Sequence, residues 1–221
     1  MELQNRDCLL FDLDGTLTDS QLGITRSVAY ALEGFGIQET DQARLRRFIG
    51  PPLNDSFMEF YGFTLQQAQA ATARYRERYN VTGWLENRVY PGIPDLLEGL
   101  NRQGRRLIVA TSKPTPTTMD ILEHFGLLPW FQAVSGSEFD GTRGTKAQVI
   151  AYALELAGIT DPDRAVMIGD RRHDVAGAKE AGIPCVGVLY GFGDRAELEA
   201  AGADRIVETV AELGRLFGLA L

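Results

Sequence analysis

Asp12 and Asp14 follow directly on the apolar run Cys8-Leu9-Leu10-Phe11, and similar breaks from apolar to polar occur at Val109-Ala110-Thr111-Ser112 and at Met167-Ile168-Gly169-Asp170. Asp174 lies just beyond Asp170, and Lys146 opens a stretch of helical apolar spacing after the loop Gly141-Thr142-Arg143-Gly144. Carboxylates that converge repel one another unless a cation joins them, and a hard ion such as Mg²⁺ prefers oxygen ligands. Asp12 and Asp170 are read as its carboxylates. Beside the neutralised cluster a phosphate dianion can be held by Lys146 and Thr111, together with backbone N–H groups near Asp14, Gly15 and Ser112. A carboxylate at a strand end can attack phosphorus, while a second one two residues on protonates the leaving oxygen and later deprotonates water. Asp12 and Asp14 have that spacing.

The elements that must position these residues follow from periodicity. Apolar runs at 8–11, 106–110, 165–168 and 184–189, with a weaker one at 205–207, read as strands separated by amphipathic helices. That alternation predicts a parallel α/β sheet, in which ligands bind beyond the carboxyl ends of the strands at a topological switch point. Helices are expected from Gly92-Ile93-Pro94 to Gly104, from Pro114 to Gly126, from Lys146 to Gly158 and from His173 to Gly182. From Thr18 to Leu85 there is no strand-like run, and Gly34-Phe35-Gly36, Gly50-Pro51-Pro52 and Tyr61-Gly62-Phe63 divide the stretch into about four short helices. The fold class expected is therefore α/β, a Rossmann-like core of residues 1–17 and 86–221 with a four-helix insert at 18–85. Phe57, Phe60, Tyr61 and Phe63 are its expected aromatic core.

The run Asp12-Leu13-Asp14-Gly15-Thr16-Leu17-Thr18-Asp19 resembles the first motif, DxDGT(x)xD, of the haloacid dehalogenase-like (HAD) hydrolase superfamily. Val109-Ala110-Thr111-Ser112 resembles its second motif, Lys146 is placed like the third, and Gly169-Asp170-Arg171-Arg172-His173-Asp174 resembles the fourth, GDxxxD. The order and spacing match across nearly the whole chain. The resemblance implies Asp12 as nucleophile, Asp14 as general acid/base with its backbone carbonyl on Mg²⁺, Thr111 and Lys146 on phosphate, Asp170 on the metal and Asp174 supporting it from behind. It implies that the insert is the cap domain of the phosphoglycolate phosphatase and β-phosphoglucomutase branch. Thr111-Ser112-Lys113-Pro114, the 136–143 segment and Gly187-Val188-Leu189-Tyr190-Gly191-Phe192-Gly193 resemble a bacterial group labelled phosphoglycolate phosphatase or 5'-nucleotidase, with the nucleotidase label favoured. A phosphomutase keeps both motif-one acids and stays open, as does a non-catalytic phospho-acceptor module.

The balance of 22 Lys and Arg against 30 Asp and Glu, a net charge of -8, is the wrong sign for binding nucleic acid. No stretch approaches a membrane span and the first residues lack the order of a signal peptide, so a cytoplasmic protein is expected, as monomer or homodimer, with a small phosphate ester as its partner. Cys8 and Cys185 lie in apolar runs and are expected to be buried thiols. Arg143 and Gly50 are the candidate substrate contacts, and Arg171 and Arg172 share Arg143's reach toward remote acidic groups. Lys113, on a loop entering a helix, is expected to face solvent. Ser112 also suits a helix N-cap, and Asp174 suits a capping role beside its metal role.

Overall fold

The computed structural model describes residues 2–140 and 142–220, which leaves Gly141 of the loop before Lys146 outside the described residues. The chain divides into two compact units, one of residues 1–18 and 89–221 and the other of residues 19–88.

The first unit is built on a parallel sheet. Its strands are β1 (Cys8–Phe11), β4 (Arg106–Pro114), β5 (Ala133–Ser137), β6 (Ala165–Gly169), β7 (Cys185–Val188) and β8 (Arg205–Val207), in the order β5-β4-β1-β6-β7-β8. β1 pairs with β4 on one side and β6 on the other, with Phe11 level with both Val109 and Ile168. The chain order thus reverses at β1, and the residues following it stand at the switch point. Helices α5 (Ile93–Arg102), α6 (Thr115–His124), α7 (Lys146–Leu156), α8 (Arg172–Glu180), α9 (Arg195–Ala201) and α10 (Val210–Leu216) connect the strands.

Alternation along β1 explains where its polar continuation goes. Cys8 and Leu10 join Ile108, Ala110 and Met167 in one core cluster with Val149, Ile150 and Ala153 of α7 and Val175 and Ala178 of α8. Asp12, two residues past Leu10, continues that face and so heads toward the α7 and α8 ends. Leu9 and Phe11 take the other face, and Leu96, Leu97 and Leu100 of α5 and Leu213 of α10 are likewise fully buried. Each such aliphatic side chain contributes roughly 1.5–3 kcal/mol by leaving water.

The expected strands all form, but β4 continues to Pro114 instead of ending at Ala110, with a register break against β5 between Ala110 and Pro114. β5 itself was not anticipated: Ala-Val-Ser-Gly-Ser carries too little apolar content to read as a strand, and it forms by parallel pairing with β4 at the sheet edge, with α6 and α7 packed on it.

The second unit carries α1 (Gln21–Glu33), α2 (Gln42–Arg46), α3 (Leu53–Tyr61) and α4 (Leu65–Tyr79). Gly62, at φ 65°, ends α3 in the left-handed conformation, and Thr64 with Gln67 forms a capping box that starts α4. α4 packs on both α1 and α3. Phe57 is fully buried, with its ring 4.9 Å from that of Phe48 and stacked on Phe63 at 5.8 Å. Short strands β2 (Thr18–Asp19) and β3 (Arg88–Val89) form a separate two-stranded pair.

Candidate active site

The sheet brings the acids following β1 and β6 together. The amide of Asp12 donates to the Ile168 carbonyl at 2.9 Å, continuing the β1–β6 ladder one residue past the strand. Carboxylate oxygens of Asp12, Asp170 and Asp174 lie within 4.8 Å of one another, and all three side chains are buried. One ammonium sits among them: Lys146 Nζ is 2.8 Å from Asp12 Oδ1, 2.8 Å from Asp174 Oδ1, and donates to the Ala110 carbonyl at 3.1 Å. Lys146 opens α7 behind the Thr145 N-cap, and α8 comes close because Gly177 has no side chain; a Cβ there would stand 2.7 Å from Lys146 Cγ.

The electrostatics are those of a site short of positive charge. Burial lowers the basicity of Lys146, but the carboxylates of Asp12 and Asp174 outweigh it and hold the ammonium above the ordinary lysine value. Burial, reinforced by Asp174 and Asp12, pushes the Asp170 carboxyl well above its ordinary range. Burial likewise pushes Asp174 up to about 6, against the opposing pull of Lys146. An all-oxygen donor set of three crowded acids fits a hard divalent cation such as Mg²⁺.

Asp170 is fixed from several directions. Phe192 N–H donates to its Oδ2 at 2.7 Å and the Thr16 hydroxyl to its Oδ1 at 3.4 Å. Gly15, at φ 87°, and Gly191 both lie so close to Asp170 that a Cβ on either would collide with it. The Gly15 amide donates to the Thr18 carbonyl at 2.8 Å, so the contribution visible for this residue is steric. Asp174 takes the expected capping role, its Oδ2 accepting from the Arg171 amide at 3.0 Å, while its Oδ1 faces Lys146.

Thr111 is buried on β4, its Oγ1 accepting from the Lys113 amide at 3.3 Å. Ser112 is not an N-cap; Pro114 holds that position, and the Ser112 carbonyl accepts from the Ser137 hydroxyl at 2.8 Å. Arg143 adopts φ 56°, bonds Glu138 and the Gly136 carbonyl, and stacks over Tyr152 at 4.3 Å, so its guanidinium is committed to its own loop. Gly50 lies in the helical unit, at φ 106° between α2 and α3.

The solvent-facing reading of Lys113 is corrected. Its Nζ is 2.8 Å from Asp14 Oδ2, and the two side chains are only 7% and 11% exposed. The loop assigned from sequence is the bulged end of β4, which carries Lys113 inward.

Residues 9–188 match the family model described as haloacid dehalogenase-like hydrolase. The chain belongs to that family. This HAD-like hydrolase is 52% identical over 87% of its length to a 5'-nucleotidase of Pseudomonas aeruginosa, covering 86% of that protein. It is 42% identical over 84% of its length to the tyrosine-protein kinase PtkA of Mycobacterium tuberculosis, of which it covers 62%. Its fold superposes with a TM-score of 0.93 on the crystal structure of a predicted phosphatase from Clostridium acetobutylicum, at 50% identity over 95% of this chain and 97% of that one. The HAD-like hydrolase is accordingly a phosphatase, a phosphoric monoester hydrolase. Among the described residues no helix is long and apolar enough to cross a membrane.

Proposed function

We propose that this phosphatase cleaves a small phosphate ester through an aspartyl-phosphate on Asp12, with Mg²⁺ as cofactor. The observation that carries the reading is the convergence of Asp12, Asp170 and Asp174 within 4.8 Å. Asp12 and Asp170 would hold the ion, with the Asp14 backbone carbonyl beside them and Asp174 behind. When bound, the ion offsets the carboxylate charge and draws electron density from the phosphoryl oxygens.

An Asp12 carboxylate oxygen forms a bond to phosphorus as the ester P–O bond breaks, and Asp14 gives its proton to the leaving oxygen. Asp14 then takes a proton from water, whose oxygen attacks phosphorus, releasing inorganic phosphate and restoring Asp12. Lys146 and the Thr111 hydroxyl hold phosphoryl oxygens, with Ser112 contributing backbone, while Gly15 leaves room for Asp170 beside them. A nucleoside 5'-monophosphate is the favoured substrate, supported by the 52% identity to a 5'-nucleotidase; phosphoglycolate is the alternative. The helical insert, residues 18–85 by sequence and the unit 19–88 of the fold, is read as the cap that selects among esters, with Gly50 as a specificity position.

The test is phosphate release from nucleoside monophosphates, phosphoglycolate and hexose phosphates, with Mg²⁺ and with EDTA. Asp12→Asn should lower turnover on the order of 10⁴-fold or more while leaving the fold intact. Ordinary turnover by that variant, or activity indifferent to EDTA, would overturn the mechanism. Transfer of the phosphoryl group to a sugar phosphate in place of its release would identify a phosphomutase.

A further inference from the structure

The two acids two residues apart meet different ammonium groups. Lys146 serves Asp12 from α7, and Lys113 serves Asp14 from the end of β4. The second pair is asymmetric: Asp14 Oδ2 meets Lys113 Nζ at 2.8 Å, whereas Asp14 Oδ1 is buried with no hydrogen-bond partner among the described residues.

The backbone under Lys113 is built to hold that side chain inward. The Lys113 amide donates to Thr111 Oγ1 at 3.3 Å, and the Ser137 hydroxyl ties down the neighbouring Ser112 carbonyl at 2.8 Å. Gly136 of β5 admits the bulge, since a Cβ there would stand 2.5 Å from the Lys113 carbonyl oxygen and 2.8 Å from the Thr115 nitrogen. The register break against β5 lies between Ala110 and Pro114, the stretch that carries Lys113.

We infer that Lys113 is a positioning residue for Asp14, holding Oδ2 so that Oδ1 is the oxygen that exchanges the proton with leaving group and water. This rests on the phosphatase mechanism proposed above. Oδ2 can accept from the ammonium whether or not Oδ1 carries a proton, so the carboxyl keeps one orientation through both half-reactions. In the first, the proton on Oδ1 passes to the ester oxygen as its bond to phosphorus breaks and the Asp12–phosphorus bond forms. In the second, Oδ1 recovers a proton from the attacking water. Without Lys113 the carboxyl is free to rotate, and the step that suffers is protonation of the leaving oxygen.

Leaving-group dependence tests this, because an aryl oxide departs with little help from an acid whereas an alkoxide needs its proton. The substrates are p-nitrophenyl phosphate and an alkyl ester such as a nucleoside 5'-monophosphate, compared for the native chain, Lys113→Met, Lys113→Arg and Asp14→Asn. Lys113→Met should lower kcat on the alkyl ester on the order of 10²-fold and on the aryl ester by less than about tenfold. Its KM values should stay near native, its selectivity should resemble that of Asp14→Asn, and Lys113→Arg should recover most of the loss. An equal fall on both esters, a rise in KM in place of the fall in kcat, or unchanged rates would overturn the inference while leaving the phosphatase reading in place. A native chain that hydrolyses neither ester would overturn that reading and this inference with it. Thermal melting checks the fold of each variant, and Lys113→Gln carries the same comparison if the Met variant fails to fold.

Discussion

Charge and space are set residue by residue around Asp170. Gly191 is an exacting neighbour, because a Cβ there would press on both the Gly15 carbonyl and Asp170. Gly191→Ala should therefore cost about 1–3 kcal/mol and reduce turnover, checked by a denaturant midpoint and an assay on the same sample. The thiols offer a contrasting case. Both cysteines are free and buried, and burial pushes Cys8 up to about 11 and Cys185 well above the ordinary thiol range. Neither should react with a disulfide reagent at pH 8 in the native protein, and both should react on unfolding, since the thiolate is the reactive form. Rapid native labelling would show that the sheet around β1 and β7 opens more readily than its packing implies.

Element ends place the functional side chains. Lys146 reaches Asp12 because α7 starts where it does, and that start is held by the reciprocal bonds of Thr145 and Gln148. Thr145→Ala should cost about 1 kcal/mol and also lower kcat by loosening the first turn that carries Lys146. The matching box at Thr64 and Gln67 starts α4 in the helical unit, where Thr64→Ala should cost a similar amount. Denaturation of both variants, paired with assays, separates a cap that only stabilises from one that also positions. Loss of kcat beyond about twofold in the Thr64 variant alone would reverse these assignments.

For the molecule as a whole, three buried acids around one ammonium give the folded state a charge imbalance that a bound cation would relieve. A ligand that binds only the native state at a hundredfold excess over its Kd adds about 2.7 kcal/mol, on the order of 5–10 °C in Tm for a chain of this size. Saturating Mg²⁺ should raise Tm by that order. Asp170→Asn should abolish the response and raise Tm in EDTA by removing one of the crowded carboxylates. Calorimetry with and without Mg²⁺ decides it, and a native Tm indifferent to Mg²⁺ would count against a metal at this cluster.

The positions of Asp12, Thr111 and Asp170 at the ends of apolar runs were legible in the sequence, as were the parallel α/β class and the motifs of the family. Strand burial and helical periodicity are local, and each residue type reports its own environment. What the tertiary structure alone decided is which charge meets which. Lys146 bridges Asp12 and Asp174, and Lys113 turns inward to Asp14, because separate strands and helices converge at the switch point of the sheet. β5 was hidden for a related reason: Ala-Val-Ser-Gly-Ser becomes a strand through its pairing with β4, whose last stretch carries Lys113 to Asp14. Ion pairs between residues far apart in the chain leave no periodic trace, so only the folded sheet reveals them.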